Sequence, residues 1–140
     1  MIVVDTNVIS EVMKASPSTR ILDWWQRYPV SELFVTTITE AEIRLGIDLL
    51  PSGKRRMALS AAAETMFDDQ FEGRVLPFDR DAAEEFAKIV AGRRRIGRPI
   101  SQMDAQIAAI ARSRGAAVAT RNDSDFEGCG VRVLNPWRDS

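Results

Sequence analysis

The 140-residue sequence predicts an α/β fold: a central, twisted parallel sheet of about five short strands with helices on both faces. Three observations predict it. Short apolar runs alternate with segments of helical periodicity along the chain, the order expected when parallel strands are joined by helical crossovers. The apolar runs are continuous rather than alternating with polar residues, as in strands covered on both faces. No internal repeat, low-complexity stretch or Gly/Ser linker interrupts the pattern, so residues 1–140 read as one domain.

Taken in order, Ile2-Val3-Val4 is a buried strand that runs into an acid, Asp5. Thr6 to about Lys14 and Ser18 to about Tyr28 read as helices, the second carrying Trp24 and Trp25. Leu33-Phe34-Val35-Thr36 is a second strand. A helix from about Ile38 to Leu50 stops at the breaker Pro51-Ser52-Gly53, and an Ala- and Met-rich helix follows from Lys54 to about Phe71. Val75-Leu76 is a third short strand. Asp79 or Asp81 then opens a helix whose apolar face is Ala82, Phe86, Ile89 and Val90, ending at Gly97 and Pro99. Ser101 opens the next helix, which runs to Gly115 as its C′ glycine. Ala117-Val118-Ala119 and Val131-Arg132-Val133-Leu134 are the fourth and fifth strands, and the chain closes on Asn135-Pro136-Trp137.

Composition narrows the chemistry. The chain has no histidine, which removes the commonest general base and zinc ligand and excludes Ser-His-Asp and Cys-His triads. Its three lysines, Lys14, Lys54 and Lys88, lie outside any GxxxxGK context, so there is no P-loop. The single Cys129 makes neither an internal disulfide nor a thiolate metal site and fits a reducing compartment. The N-terminus lacks the basic region of a signal peptide, and no apolar run approaches a membrane span, so a cytoplasmic location with no membrane partner is expected. Carboxylates with a hard metal ion are the most available catalytic tools. The net charge of −1 confines nucleic-acid contact to local basic clusters.

Sites in doubly wound sheets form beyond the carboxyl ends of the strands. Asp5 stands at such an end, as a helix N-cap or as a ligand. Helical spacing puts Glu40, Arg44 and Asp48 on a solvated face and Glu42 on the opposite stripe with Ile38, Leu45 and Leu49. There an acid is costly unless it is paired, protonated or bound to a cation. A capping box, Thr39-x-x-Glu42, is the local alternative. Asp104 shares a stripe with Ile107, Ala108 and Ala111, with Ser101-x-x-Asp104 as its own possible capping box. Thr120-Arg121-Asn122-Asp123-Ser124-Asp125-Phe126 brings more acids to the same edge, or is simply a turn and helix start. Converging carboxylates need a divalent cation to offset their repulsion, and Mg²⁺ suits an open site completed by water and phosphate.

Ile2-Val3-Val4-Asp5-Thr6-Asn7-Val8-Ile9-Ser10-Glu11 resembles the opening signature of PIN domains, an apolar strand running into D-T-N. Thr37-x-Thr39-x-Ala41-Glu42-Ile43-x-x-Gly46 is similar to the family's second motif, Asp104-x-x-Ile107-Ala108-Ala109 to its third, and Ala119-Thr120-Arg121-Asn122 with Asp125-Phe126 to its fourth. Order and spacing match along essentially the whole chain, through the closing Asn135-Pro136-Trp137 of VapC- and FitB-like members. The resemblance implies a PIN-like parallel-sheet nuclease fold, Mg²⁺ or Mn²⁺, and an RNA substrate. It also implies the toxin role of a type II toxin–antitoxin system, with a cognate antitoxin and a homodimer. Asn122 stands where several relatives carry a fourth acid.

On this reading Asp5 and Asp104 hold the metal, and Glu42 and Asp125 complete the catalytic charge or orient water. Asn7, Thr120, Asn122 and Asp123 support the site, with Asn122 capping a short helix and orienting Asp125 while Asp123 points to solvent. Lys54-Arg55-Arg56 and Arg93-Arg94-Arg95 with Arg98 are either solvated faces or tracks for RNA phosphates. Trp24 and Trp25 are either core or a partner groove; one of two adjacent helical residues should face outward, and an exposed tryptophan suggests an interface. Two rivals stand beside the nuclease. A phosphatase using Asp5 as nucleophile wants a second Asp where Asn7 stands. A degenerate protein-binding module would have lost its acids.

Overall fold

The computed structural model describes residues 1–139; the last residue of the expected 1–140 domain lies outside them. Five strands, β1 (Ile2–Val4), β2 (Leu33–Thr36), β3 (Val75–Leu76), β4 (Ala117–Ala119) and β5 (Val133–Leu134), form one sheet in the order β3-β2-β1-β4-β5. Every pairing is parallel, with Ile2 opposite both Leu33 and Ala117. The fifth strand is shorter than expected because only Val133 and Leu134 find partners, opposite Val118 and Ala119. From β1 the chain adds strands outward on one side, then returns to add β4 and β5 on the other. The order therefore reverses between β1 and β4, where ligand sites of open parallel sheets lie.

The helices are α1 (Thr6–Val12), α2 (Thr19–Gln26), α3 (Thr37–Asp48), α4 (Lys54–Glu64), α5 (Arg80–Arg95), α6 (Gln102–Ser113) and α7 (Asp123–Phe126). Strand side chains alternate between two cores. Ile2, Val4, Leu33 and Val35 pack with Val8, Ile9, Trp24, Ile47 and Phe67 under α1–α4. Val3 and Val118 pack with Ala82, Ile89, Ile107 and Phe126 under α5–α7. Helix α6 is buried nearly all round, at Ala105 and from Ile107 to Ala111, and its alanines admit close approach by the sheet and α5. It ends at Gly115, whose φ of 65° is the left-handed C′ position that glycine fills without strain. Asp79, not Asp81, caps α5 by accepting from the Ala82 amide.

Three expectations need correction. The helix from Lys54 is α-helical only to Glu64 and widens into a π-helical turn over Thr65–Gln70, which carries Met66 and Phe67 into the core. Trp24 and Trp25 do not offer an exposed ring. Trp24 is 1% exposed, and half-buried Trp25 packs edge-to-face on Phe71 with ring centroids 5.9 Å apart. Helix α2 is covered on both sides because α1 and the π turn flank it, so two adjacent tryptophans both find cover. The buried stripe of α3 is Thr39, Ile43 and Ile47, while Leu45 and Leu49 are exposed. Glu42 borders this stripe instead of sharing one with Leu45 and Leu49, because the helix starts at Thr37 and packs on α1. The Glu40–Arg44 pair forms as expected, at 2.9 Å.

Candidate active site

Beyond the carboxyl ends of β1 and β4, the Asp5 carboxylate is set by covalent position and then by three hydrogen-bonding neighbours. It caps α1, its Oδ1 accepting from the Thr6 amide at 2.8 Å. Its Oδ2 accepts from the Thr120 hydroxyl at 2.8 Å and the Asn7 side-chain amide at 3.1 Å. Capping and site membership are thus compatible rather than alternatives. Thr120, fully buried, also accepts from the Asn122 amide at 3.2 Å. Asn7 bridges the two strand ends, since its Oδ1 accepts from the Arg121 amide at 3.1 Å.

The Thr39–Glu42 capping box does not form. Thr36 caps α3 by accepting from the Thr39 amide at 3.1 Å, which leaves Glu42 free of its own helix end. Glu42 reaches across to α1 instead, where the Thr6 hydroxyl donates to its Oε1 at 2.8 Å. The Thr6 and Thr39 hydroxyl oxygens, 3.0 Å apart, pack beside it. Ser101 caps α6 by accepting from the Asp104 amide at 3.2 Å, and the half-buried Asp104 carboxylate faces the same space as Asp5.

Asp5, Asn7, Glu42, Asp104, Asn122 and Asp125 line one open cavity of about 490 Å³, so the topology gathers the expected acids from four elements. Asp123 is the exception. It turns away from the cavity toward the C-terminal segment, accepting from the Asn135 side-chain amide and from Arg138 at 3.3 Å, rather than facing only solvent. Asn122 makes no side-chain cap bond, and no hydrogen bond ties it to the Asp125 side chain, so it does not orient that acid as expected. Its own amide is already taken by Thr120.

Besides Thr6 and Ser10, four further lining residues were not expected in the site: Glu11, Lys14, Arg121 and Trp137. The first two were legible, because Asn7, Ser10, Glu11 and Lys14 fall at helical spacing on one face of α1. The Trp137 position was not, since it depends on the C-terminal segment folding back. Another surprise is Arg93. Expected on a surface cluster, it is 4% exposed and donates to the backbone carbonyls of Asp125 at 2.8 Å, Glu127 at 2.9 Å and Arg98 at 2.6 Å. It ties the turn that carries Asp125 to the end of α5.

The electrostatics follow from this packing. Burial pushes the Asp5 carboxyl from 3.8 up to about 6, opposed by the Thr120 hydroxyl and the Thr6 amide and reinforced by Asp104 and Glu42. Burial also raises Asp104, which Ser101 lowers and Asp125 raises. Glu11 is held below its ordinary value by Lys14 and the Ser18 amide. The cavity thus carries five acids against two cations, Lys14 and Arg121, and Lys14 is engaged by Glu11 at 3.0 Å. Such a set fits an added divalent cation. Among the described residues no three acidic or cysteine side chains close into a ready-made cage. The donors are an open set of hard oxygens, the kind Mg²⁺ shares with water and phosphate.

The chain is similar to known proteins over nearly its whole length. The PIN domain family model matches residues 2–130. A VapC ribonuclease, Y4jK, of Sinorhizobium fredii is 42% identical over 137 residues, covering 98% of each chain. The toxin FitB of Neisseria gonorrhoeae is 38% identical over 139 residues, covering 99% of this chain and all of its own. The structure of FitAB bound to a DNA fragment superposes with a TM-score of 0.93 at 37% identity, covering 100% of this chain and 98% of that one.

Proposed function

The chain belongs to the PIN-domain family, and from that premise we propose that it is a cytoplasmic, Mg²⁺- or Mn²⁺-dependent endoribonuclease, the toxin of a type II toxin–antitoxin pair. The observation that carries this reading is the meeting of Asp5, Glu42, Asp104 and Asp125 around one cavity in a chain without histidine. Asp5 and Asp104 would hold the cation. When bound, it supplies Lewis acidity and offsets the charge that develops on a phosphodiester under attack by water. Asp5 is kept in place for that task by Thr6, Asn7 and Thr120. Glu42, fixed by the Thr6 hydroxyl, is placed to orient the attacking water and to take its proton. Asp125 adds negative charge on the Asp104 side.

The phosphatase alternative loses support from Asn7, whose side chain bonds to Asp5, Arg121 and Thr120 and so serves as a latch between strand ends. A degenerate module is disfavoured because Asp5, Glu42, Asp104 and Asp125 all line the cavity. For the antitoxin, the fitting surface is not the α2 tryptophan pair but an apolar groove between α1 and α3–α4. It is lined by Met13, Ile43, Ile47 and Leu59 and shares Thr6, Ser10, Lys14 and Glu42 with the acidic cavity. A segment seated there obstructs the site. A second copy of the chain is the other expected partner, read out by light scattering. Among the described residues no helix is long and apolar enough to cross a membrane.

The deciding experiment induces the chain in a bacterial host and maps RNA 5′ ends, beside an Asp5→Asn version and beside co-expression of the neighbouring gene. New ends and growth arrest that vanish in both controls are expected. No new ends with the intact protein would remove the ribonuclease reading, and a neighbour that neither binds nor relieves toxicity would remove the antitoxin.

A further inference from the structure

Resting on the ribonuclease reading, we propose that Arg121 is a preorganised phosphate-binding residue for the RNA chain, held over the acidic cavity by Trp137. The cavity has a problem that a cation between carboxylates does not solve by itself: a polyanion must pass several acids to reach it. Among the described residues Lys14 is already paired with Glu11, whereas Arg121 makes no ion pair and is exposed. Arg121 is therefore the lining cation available to a phosphate.

Its surroundings are built to aim it. The Arg121 amide donates to Asn7 Oδ1 at 3.1 Å, and its carbonyl accepts from the Asn135 side-chain amide at 3.1 Å. Its backbone is thus clamped from both sides. The Asn135 side chain also accepts from the Trp137 amide at 2.9 Å, which fixes the turn that brings the indole back to the cavity. The Arg121 guanidinium lies 5.2 Å from the Trp137 ring centroid, a cation–π seat that restrains the side chain and leaves its N–H edge open. Trp137 is anchored in turn, half-buried against the core under α1–α4. Two asparagines from opposite ends of the chain and one tryptophan thus position an exposed cation on the wall of the cavity that Asp5 and Asp104 also line, on the side where its charge reaches Glu11. A planar guanidinium with parallel donors suits a phosphodiester, and prior ordering of the side chain lowers the entropy lost on binding. This accounts for the closing Asn135-Pro136-Trp137 segment, which the acid chemistry leaves without a task.

The test measures binding of a labelled single-stranded oligoribonucleotide of mixed sequence by anisotropy across a salt series in Mg²⁺. The full chain carries Asp104→Asn throughout so that the RNA stays intact. Adding Arg121→Gln is expected to weaken binding about tenfold and to flatten the slope of log affinity against log salt by about 0.7, one phosphate of a single strand. Arg121→Lys should keep the slope and recover part of the affinity, and Trp137→Phe should retain more affinity than Trp137→Leu. Unchanged affinity and slope in Arg121→Gln, against a reference that binds RNA, overturns the phosphate site alone. A reference that binds no RNA, from a parent chain that cuts none, overturns the ribonuclease reading and this site with it.

Discussion

The two sides of the acidic cavity are built in different ways. On the sheet side, Asp5 is 4% exposed and its two oxygens are held by Thr6, Asn7 and Thr120, all within three residues of a strand end. On the helix side, Asp104 and Asp125 are half-buried and stand on a helix start and a four-residue helix. Their support is sparser: Ser101 accepts from the Asp104 amide, and the buried Arg93 holds the Asp125 carbonyl rather than its carboxylate. The sheet side is rigid and costly, since it desolvates a charge; the helix side is looser and cheap. A site that fixes one ligand and lets another adjust can take a cation and a substrate of variable geometry.

The largest test of that comparison neutralises one acid on each side. On the proposed nuclease reading, Asp5→Asn and Asp104→Asn should each lower metal-dependent cleavage by about 1,000-fold or more, since each removes a charge from the proposed donor set of the cation. Stability should separate them. The folded Asp5 carboxyl titrates near 6 against 3.8 for an ordinary aspartate, so the folded state holds the proton more tightly. Its contribution is fully present below about pH 4, is lost as pH rises through 6, and leaves a cost at neutral pH. That shift corresponds to about 3 kcal/mol, of which Asp5→Asn should recover about 1–2 kcal/mol in chelator at pH 7, because an amide serves Thr120 and Asn7 less well. The variant should also flatten the pH dependence between 4 and 6. Asp104→Asn, half-exposed, should move the melting temperature much less. Thermal melts against pH decide, and a destabilised Asp5→Asn fold would contradict the costly-side account.

Much of this was legible in the sequence for a physical reason. Buried parallel strands are short apolar runs, and the acid that ends Ile2-Val3-Val4 can only sit at the sheet edge. What periodicity could not supply was helix phase: moving the cap from Thr39 to Thr36 turned Glu42 from a self-capping residue into a partner of Thr6. Nor could it separate a buried arginine from a solvated one in Arg93-Arg94-Arg95, because that depends on carbonyls arriving from 125 and 127. Both misreadings concern contacts between elements far apart in sequence.

Arg93 offers the next test, now of the looser side. Arg93→Met keeps the apolar stem but leaves the carbonyls of Asp125, Glu127 and Arg98 without their donor. Unpaired buried acceptors of this kind cost about 3 kcal/mol together. The loss should be local: amide exchange should accelerate across 123–129 while the strands stay protected, and cleavage should fall through that disorder. Uniform destabilisation of the whole sheet would show that Arg93 supports the core rather than the site. On the rigid side, Thr120→Val should cost about 2 kcal/mol by removing the donor to Asp5 and the acceptor for Asn122. It should also push the Asp5 titration higher, which Ser101→Ala should not do.

The smallest expected effect separates two neighbours on α7. Asp125 lines the cavity and raises the proton affinity of Asp104, whereas Asp123 is turned toward Asn135 and Arg138. Asp125→Asn should therefore reduce cleavage about tenfold, a loss of roughly 1.4 kcal/mol in the barrier, with little change in melting temperature, since its side chain makes no cap bond. Asp123→Asn should leave the rate near that of the parent and cost under about 1 kcal/mol, the range for an exposed ion pair such as Arg138–Asp123. Any rate effect it has should be indirect: loosening Asn135 frees the Arg121 carbonyl and the Trp137 turn, so it should appear in RNA affinity rather than in turnover at saturation. The two variants, compared by cleavage rate, RNA binding and melting, assign the fourth acid. A turnover loss for Asp123→Asn with Asp125→Asn intact would move that role to Asp123 and show that the C-terminal segment opens when RNA binds.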